Sequence, residues 1–423
     1  MNPTSLIEAS QPPARETVDA LLAALPPSVV VYIALLIVTY VLHAIFMQYT
    51  IGGALWTLWA AVRGRFSSSA GRGGAHGGVH GGVHGGVHGG VHGGVHGGVH
   101  DRASLVVRDW LPSAVSGAIT AGIAPLLFVQ IVYQKSFYTA NLLLFNRWMM
   151  LLPALIVAIY ALYVVKAHPS TGSASTGMLS RLFERRSVKS LAAAVALALI
   201  AYTGLAFVEN HLLSLMPASW PAIYGGTARG PSASSIALRF AMWIFAALPM
   251  FAVLTLWQLR LGAGSSANDV STPDEDHATR PLALLALVGM AITFVLAFVV
   301  WHRAHGENGL LHSRIALGAL IALFAAQVLT IPCWLVMATR RSTSAPLLWM
   351  VLVAQTLAVV ANAVLREAHR LASLAGTEAA PREPAPVGGL VVFLIFTLIG
   401  VGAIVWIVRA VAKALRNGAS QPH

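Results

Sequence analysis

Few residues in this chain could do chemistry in an apolar setting. The first is His43, in the run Val41-Leu42-His43-Ala44-Ile45-Phe46-Met47-Gln48-Tyr49. An ionisable group among so many hydrocarbon side chains is costly to keep and is a functional candidate for that reason. A neutral imidazole there has two uses, as a ligand to haem iron or as a hydrogen-bond partner for a neighbouring helix. A methionine can complete a His/Met axial pair, and Met242 and Met250 lie in one apolar run, although most such methionines fill gaps between helices. Polar residues gather at three more places: Glu209, Asn210 and His211; then His302, Arg303, His305, Glu307 and His312; then Arg366, Glu367, His369 and Arg370. Brought together they make one of two things. One is a pocket where carboxylate or imidazole takes the hydroxyl protons of a quinol headgroup; the other is a solvated rim where Arg and His meet lipid headgroups.

The elements that must position these residues follow from composition. The chain has 423 residues, 57% hydrophobic and 10% charged, with a mean hydropathy of +0.73, whereas a soluble domain carries about 25% charged residues. A water-facing surface cannot be built from that, so the expected fold is an all-α polytopic transmembrane helix bundle. Apolar runs cover roughly 29–62, 111–134, 146–166, 188–208, 236–259, 281–301, 315–338, 346–365 and 388–410. Each approaches or exceeds the ~20 residues a helix needs to cross the hydrocarbon, which gives about nine spans. The organisation is then an interfacial segment over 1–28, a first span over 29–62, a loop over 63–109, an eight-span bundle over 110–410 and a basic tail over 411–423. Ser113, Gly117 and Ala121, four apart and followed by Gly122, predict a small-residue face on the second span for close helix packing.

Net charge is +12, but Lys and Arg fall between apolar runs and form no single patch, so they read as topology signals and lipid contacts, not as a nucleic-acid surface. Ten of the 27 fall on the side of the N-terminus and seventeen on the other. Positive charge is retained in the cytoplasm, so the N-terminus is expected outside and the C-terminus inside. Glu8, Arg15, Glu16 and Asp19 precede any apolar core, unlike the basic start of a cleaved leader, and the first span is expected to direct insertion. Cys333 is the only cysteine, which excludes an intrachain disulfide and a thiolate cage. In the first loop Val-His-Gly-Gly repeats, with His76, His80, His84, His88, His92, His96 and His100. So much glycine cannot fold alone. The imidazoles suit Zn, Ni or Cu, or the repeat is slippage in a tolerant loop.

With these motifs in hand, a family resemblance emerges. His43 with Phe46, Thr50, Ile51 and Gly52 resembles the first helix of cytochrome bd quinol oxidase subunit I, and Asp109 to Tyr138, with Gly117, Thr120, Gly122, Phe128 and Gln130, resembles its second. The similarity covers the first quarter of the chain. That family also has nine spans and an outer N-terminus, and the resemblance implies a bacterial inner-membrane location with His43 as an axial haem ligand. Departures follow. Where the family has Lys-Phe-x-His, this chain reads Arg239-Phe240-Ala241-Met242, so Met242 stands in for a haem-ligating histidine. The third span lacks the buried glutamates of the oxidase, and there is no Gly-Arg-Gln-Pro-Trp stretch.

Three functions compete on these residues. One is a b-type haem subunit exchanging electrons with quinone, with His43 and Met242 at the iron and Glu209, His211, His302, His305, Glu307, Arg366, His369 and Arg370 as the quinone-site candidates. A second is a haem-free scaffold or assembly subunit of a respiratory complex. The third is a small-solute transporter, supported by the interruptions Gly122-Ile123-Ala124-Pro125 and Thr330-Ile331-Pro332. No phosphate-binding Gly loop, nucleophile elbow or His-Glu-x-x-His supports soluble enzymology.

Overall fold

A computed structural model describes residues 18–63, 99–167, 185–263, 273–303 and 313–386, and beyond them 388–395, 397–399, 402, 406 and 409. Runs of Ala, Leu, Val and Ile that have no water to bond must satisfy their amides within one segment, and the described residues are helical with no strand. After a short α1 (Val18–Ala24) come α2 (Pro27–Val62), α3 (Val99–Val132), α4 (Gln134–Leu143), α5 (Phe145–Met149), α6 (Leu151–Lys166), α7 (Arg186–Ser214) and α8 (Trp220–Tyr224). The chain continues with α9 (Ala233–Ala263), α10 (Pro273–Arg303), α11 (Arg314–Arg340) and α12 (Ala345–Leu374). Eight helical stretches among the described residues are long and apolar enough to span a bilayer, carried by α2, α3, α5 with α6, α7, α9, α10, α11 and α12. Val38, Leu42, Leu152, Tyr160 and Phe298 turn outward on them, a periphery that only lipid solvates well. The chain is a multi-pass integral membrane protein. Of the ninth predicted run, the structure describes a shorter apolar helix, Gly388–Ile399. It lies beside α2, where the Tyr32 hydroxyl donates to the Pro386 carbonyl at 2.6 Å and Phe393 meets Phe128 edge-on at 4.8 Å. Residues 1–17, the His-Gly repeat up to His96 and the tail 411–423 lie outside the described residues.

Helix ends differ from the sequence boundaries where charges sit. The eighth span was expected to stop at 365, yet α12 runs to Leu374 and takes Arg366, Glu367, His369 and Arg370 into the helix. A hydropathy reading ends a span at its first charges; here Glu367 and Arg370 pair with each other, so the helix carries them inside. Prolines are likewise absorbed. Pro125 lies within α3 and Pro332 within α11, so neither is the broken helix that a transporter reading expects.

Association inside a membrane rests on close packing, and α2 against α3 is the most extensive such contact. The close-packing face of α3 is Gly117 under Phe46 and Gly122 under His43, with Ala114 and Ala118 buried beside them. Ser113, expected on that face, is exposed. One apolar core joins Tyr49 and Trp56 of α2 to Phe251 and Leu256 of α9, Trp334 of α11 and Leu348 of α12. A second, at the other end of the bundle, joins Tyr32, Phe128, Tyr133, Leu213, Trp220 and Leu374.

At that second end α1 is tied down by one carboxylate. Asp19 accepts from the Ser313 hydroxyl at 2.7 Å and from the Arg314 amide at 2.8 Å, capping α11 from outside it. The Ser313 hydroxyl, then the backbone amides, hold the Asp19 carboxyl below its usual range. A depressed value means that the contact is at full strength above the ordinary carboxylate pKa of about 4 and is lost as pH falls through the depressed one. The protection factors of the α1 amides, corrected for intrinsic exchange, should therefore fall in acid, and Asp19→Asn should show at neutral pH the reduced protection that the parent shows in acid. Equal protection in the parent and Asp19→Asn at pH 7 would contradict this.

Candidate functional site

His43 sits on the face of α2 that packs on α3. Its Nδ1 lies 2.8 Å from the Ala118 carbonyl oxygen, which can only accept, so Nδ1 carries the proton. A neutral ring then presents its lone pair at Nε2. Gly122 makes this position possible, because a Cβ there would lie 2.9 Å from both Cε1 and Nδ1 of the ring. Gly122→Val should push the imidazole off Ala118, while Gly318→Ala, with nothing within 4 Å, should leave it in place. The ring NMR shifts of His43 report the difference.

Next to His43 is Tyr40, one turn earlier on α2, and across its ring lies the Arg366 guanidinium of α12, 4.8 Å from the centroid. The same guanidinium is 5.7 Å from the Trp243 ring of α9, so two aromatic faces hold it. One turn along α12, Arg370 donates to both Glu367 carboxylate oxygens, at 2.9 and 3.2 Å, and lies 4.8 Å above the Tyr133 ring. The Tyr133 hydroxyl is buried close to that carboxylate. Facing these from α7 is His211, near enough to Arg239, Arg366, His369 and Arg370 for all four to act on it electrostatically. His211, Glu367 and Arg370 are each 5–6% exposed. The cluster thus has three guanidiniums and one carboxylate, and the Nδ1 atoms of His211 and His369 and the Nε of Arg366 have no hydrogen-bond partner among the described residues.

The structure sorts the sequence candidates into groups. His211, Arg366, His369 and Arg370 meet in this cluster. Glu209 does not join them; two residues from His211 on α7, it faces the other way and is held by Arg147. That ion pair borders a shallow, open recess of about 320 Å³ walled by Leu205, Pro231, Ala233, Ile236 and Ala237. Met242 is half-buried on α9 beside Trp243, and Met250 is fully buried in the first core. His302 lies in the last turn of α10, and His305, Glu307 and His312 are outside the described residues. No group of three metal-ligating His, Cys, Asp or Glu side chains occurs among the described residues.

Arg239, Tyr40, Tyr133 and Trp243 were not singled out as site residues. Arg239 lies two turns inside α9, where an Arg is costly enough to have been a signal. The aromatic residues carry no signal in the sequence, because tyrosine and tryptophan are ordinary at membrane interfaces. No protein-family model and no curated protein matches the chain.

Proposed function

We propose that the chain is a haem-bearing electron-transfer subunit of a bacterial inner membrane that exchanges electrons with quinone and works beside other membrane subunits. The observation that carries this is the hydrogen bond from His43 Nδ1 to the Ala118 carbonyl. A histidine that ligates a metal usually donates its other ring nitrogen to a carbonyl or carboxylate, which fixes the tautomer and raises the basicity of the ligating nitrogen. The residues present fit a haem ligand at His43, because the bond to Ala118 occupies only Nδ1 and leaves Nε2 clear of it. Haem b, ligated by His43, would supply one-electron redox chemistry. Met242 remains the proposed second ligand from its place in the resemblance to cytochrome bd subunit I.

The quinone headgroup is best accommodated at the Arg147–Glu209 recess, apolar on its walls and charged at its edge. A quinol gives up two protons with its two electrons, and the Glu209 carboxylate is a base within reach of a hydroxyl there. The test is a reduced-minus-oxidised spectrum and a pyridine haemochrome assay on the purified protein. Stoichiometric haem that is lost in His43→Ala is the expected result; no haem in the parent would leave the scaffold reading in its place.

A further inference from the structure

We propose that the cluster of His211, Arg239, Arg366, His369 and Arg370 is a binding site for a doubly charged phosphate ligand. Three guanidiniums face a single carboxylate, Glu367, which Arg370 already engages through both oxygens. Counting the guanidiniums alone, Arg239 and Arg366 leave two positive charges inside the bundle without a counter-charge among the described residues. Buried cations are retained only when paired and hydrogen-bonded, and the penalty for leaving them otherwise is several kcal/mol per ion. The cation–π contacts of Arg366 with Tyr40 and Trp243 offset part of that cost and neutralise none of the charge.

Three further features select the ligand class. The unpartnered atoms are ring nitrogens of His211 and His369 and a guanidinium nitrogen of Arg366, which suit the oxygens of an oxyanion. Those cations converge on one side chain, His211, and do not spread along a groove, so the anion they suit is compact. The depth is right for a headgroup. Arg370 is four residues from the end of α12, His211 three from the end of α7 and Arg239 six from the start of α9. At the rise of an α-helix that places them roughly 5–9 Å inside the helix ends. A phosphate there has two sources, free phosphate or the paired phosphates of an anionic lipid such as cardiolipin.

The site is independent of haem at His43, so the test is run on the full-length protein in both parent and His43→Ala forms. Thermal unfolding in phosphate-free detergent is followed with inorganic phosphate, with mixed micelles of the detergent and cardiolipin, and with mixed micelles of the detergent and phosphatidylcholine. Saturable stabilisation by phosphate or by cardiolipin is expected, with no response to phosphatidylcholine. A response to phosphate assigns the free ion, and a response to cardiolipin alone assigns the lipid. Arg239→Gln should weaken the apparent affinity by about tenfold, as loss of one charge-assisted partner does. Should Arg239→Gln not fold, Arg239→Lys, which keeps the charge and loses the fork, should weaken it less, and Glu378→Gln at the exposed surface should leave it unchanged.

Absence of stabilisation by both probes overturns the proposal, as does an unchanged affinity in both Arg239 variants. A parent loaded with haem that ignores both probes, while its His43→Ala form binds them, also overturns it, because the charge would then be met by the haem carboxylates. A haem-free parent that binds either probe would sink the redox reading and leave this one standing.

Discussion

Glu367→Gln will cost the protein about 3–5 kcal/mol, the penalty for breaking a buried ion pair and leaving one partner charged. Glu367 and Arg370 are 7% and 6% exposed, one turn apart on α12. Gln keeps the shape and can still accept one hydrogen bond, so the loss is one of charge. It falls on a cluster that already holds more cations than anions, and removing the cluster's one carboxylate among the described residues adds Arg370 to the uncompensated set. The exposed pair Lys135–Glu378 is the contrast: its partners are 53% and 89% exposed, and Glu378→Gln there should leave stability nearly unchanged. Lys135, by hydrogen bond first and charge second, holds the Glu378 carboxyl below its usual range, but water screens the pair. Thermal unfolding in detergent distinguishes the two. The double variant Glu367→Gln with Arg370→Gln should recover much of the loss, because it leaves no uncompensated charge at position 370. A Glu367→Gln protein as stable as its parent would mean that something other than Glu367 neutralises Arg370.

That cluster also shows where sequence reasoning stops. The membrane class and the positions of eight spans were legible, because hydrocarbon length and backbone satisfaction leave a chain few alternatives. His211, Arg366, His369 and Arg370 were visible as polar residues near span ends. Nothing in their types revealed that they converge, since convergence depends on how α7, α9 and α12 rotate about their axes. Rotation is set by packing detail such as Gly204 of α7 under the Phe240 ring of α9, which sequence periodicity does not show. The misassigned Ser113 is an example, with the right spacing on the wrong face of α3. Glu209 and His211 are another. Two residues apart they read as one polar group, yet about 200° of helical rotation sends one to Arg147 and the other into the bundle.

Gly52→Ala will be among the most damaging single-methyl changes in the bundle, and it will be felt at His43. A Cβ at Gly52 would lie 2.4 Å from both Cβ and Cγ of Phe251, a fully buried ring on α9. Those atoms are the root of the side chain, so no rotamer change clears them and the helices must part. Phe251 also lies between Tyr49 and Trp56, with ring centroids at 5.6 and 6.1 Å, so it cannot slide along α2. Overpacking of this kind costs about 1–3 kcal/mol or more where the backbone has to move. The movement has a direction. Nine residues separate Gly52 from His43, which is half a turn out of phase, so pushing α2 off α9 presses His43 toward α3 and Gly122. Gly52→Ala should therefore lower thermal stability and also perturb the His43–Ala118 hydrogen bond, read from the His43 ring shifts. Phe251→Ala in the same chain makes room, so the double variant should be more stable than the sum of the single changes predicts. Additive effects would mean that Gly52 and Phe251 do not meet as the structure has them, and the α2–α9 packing that orients His43 would have to be redrawn.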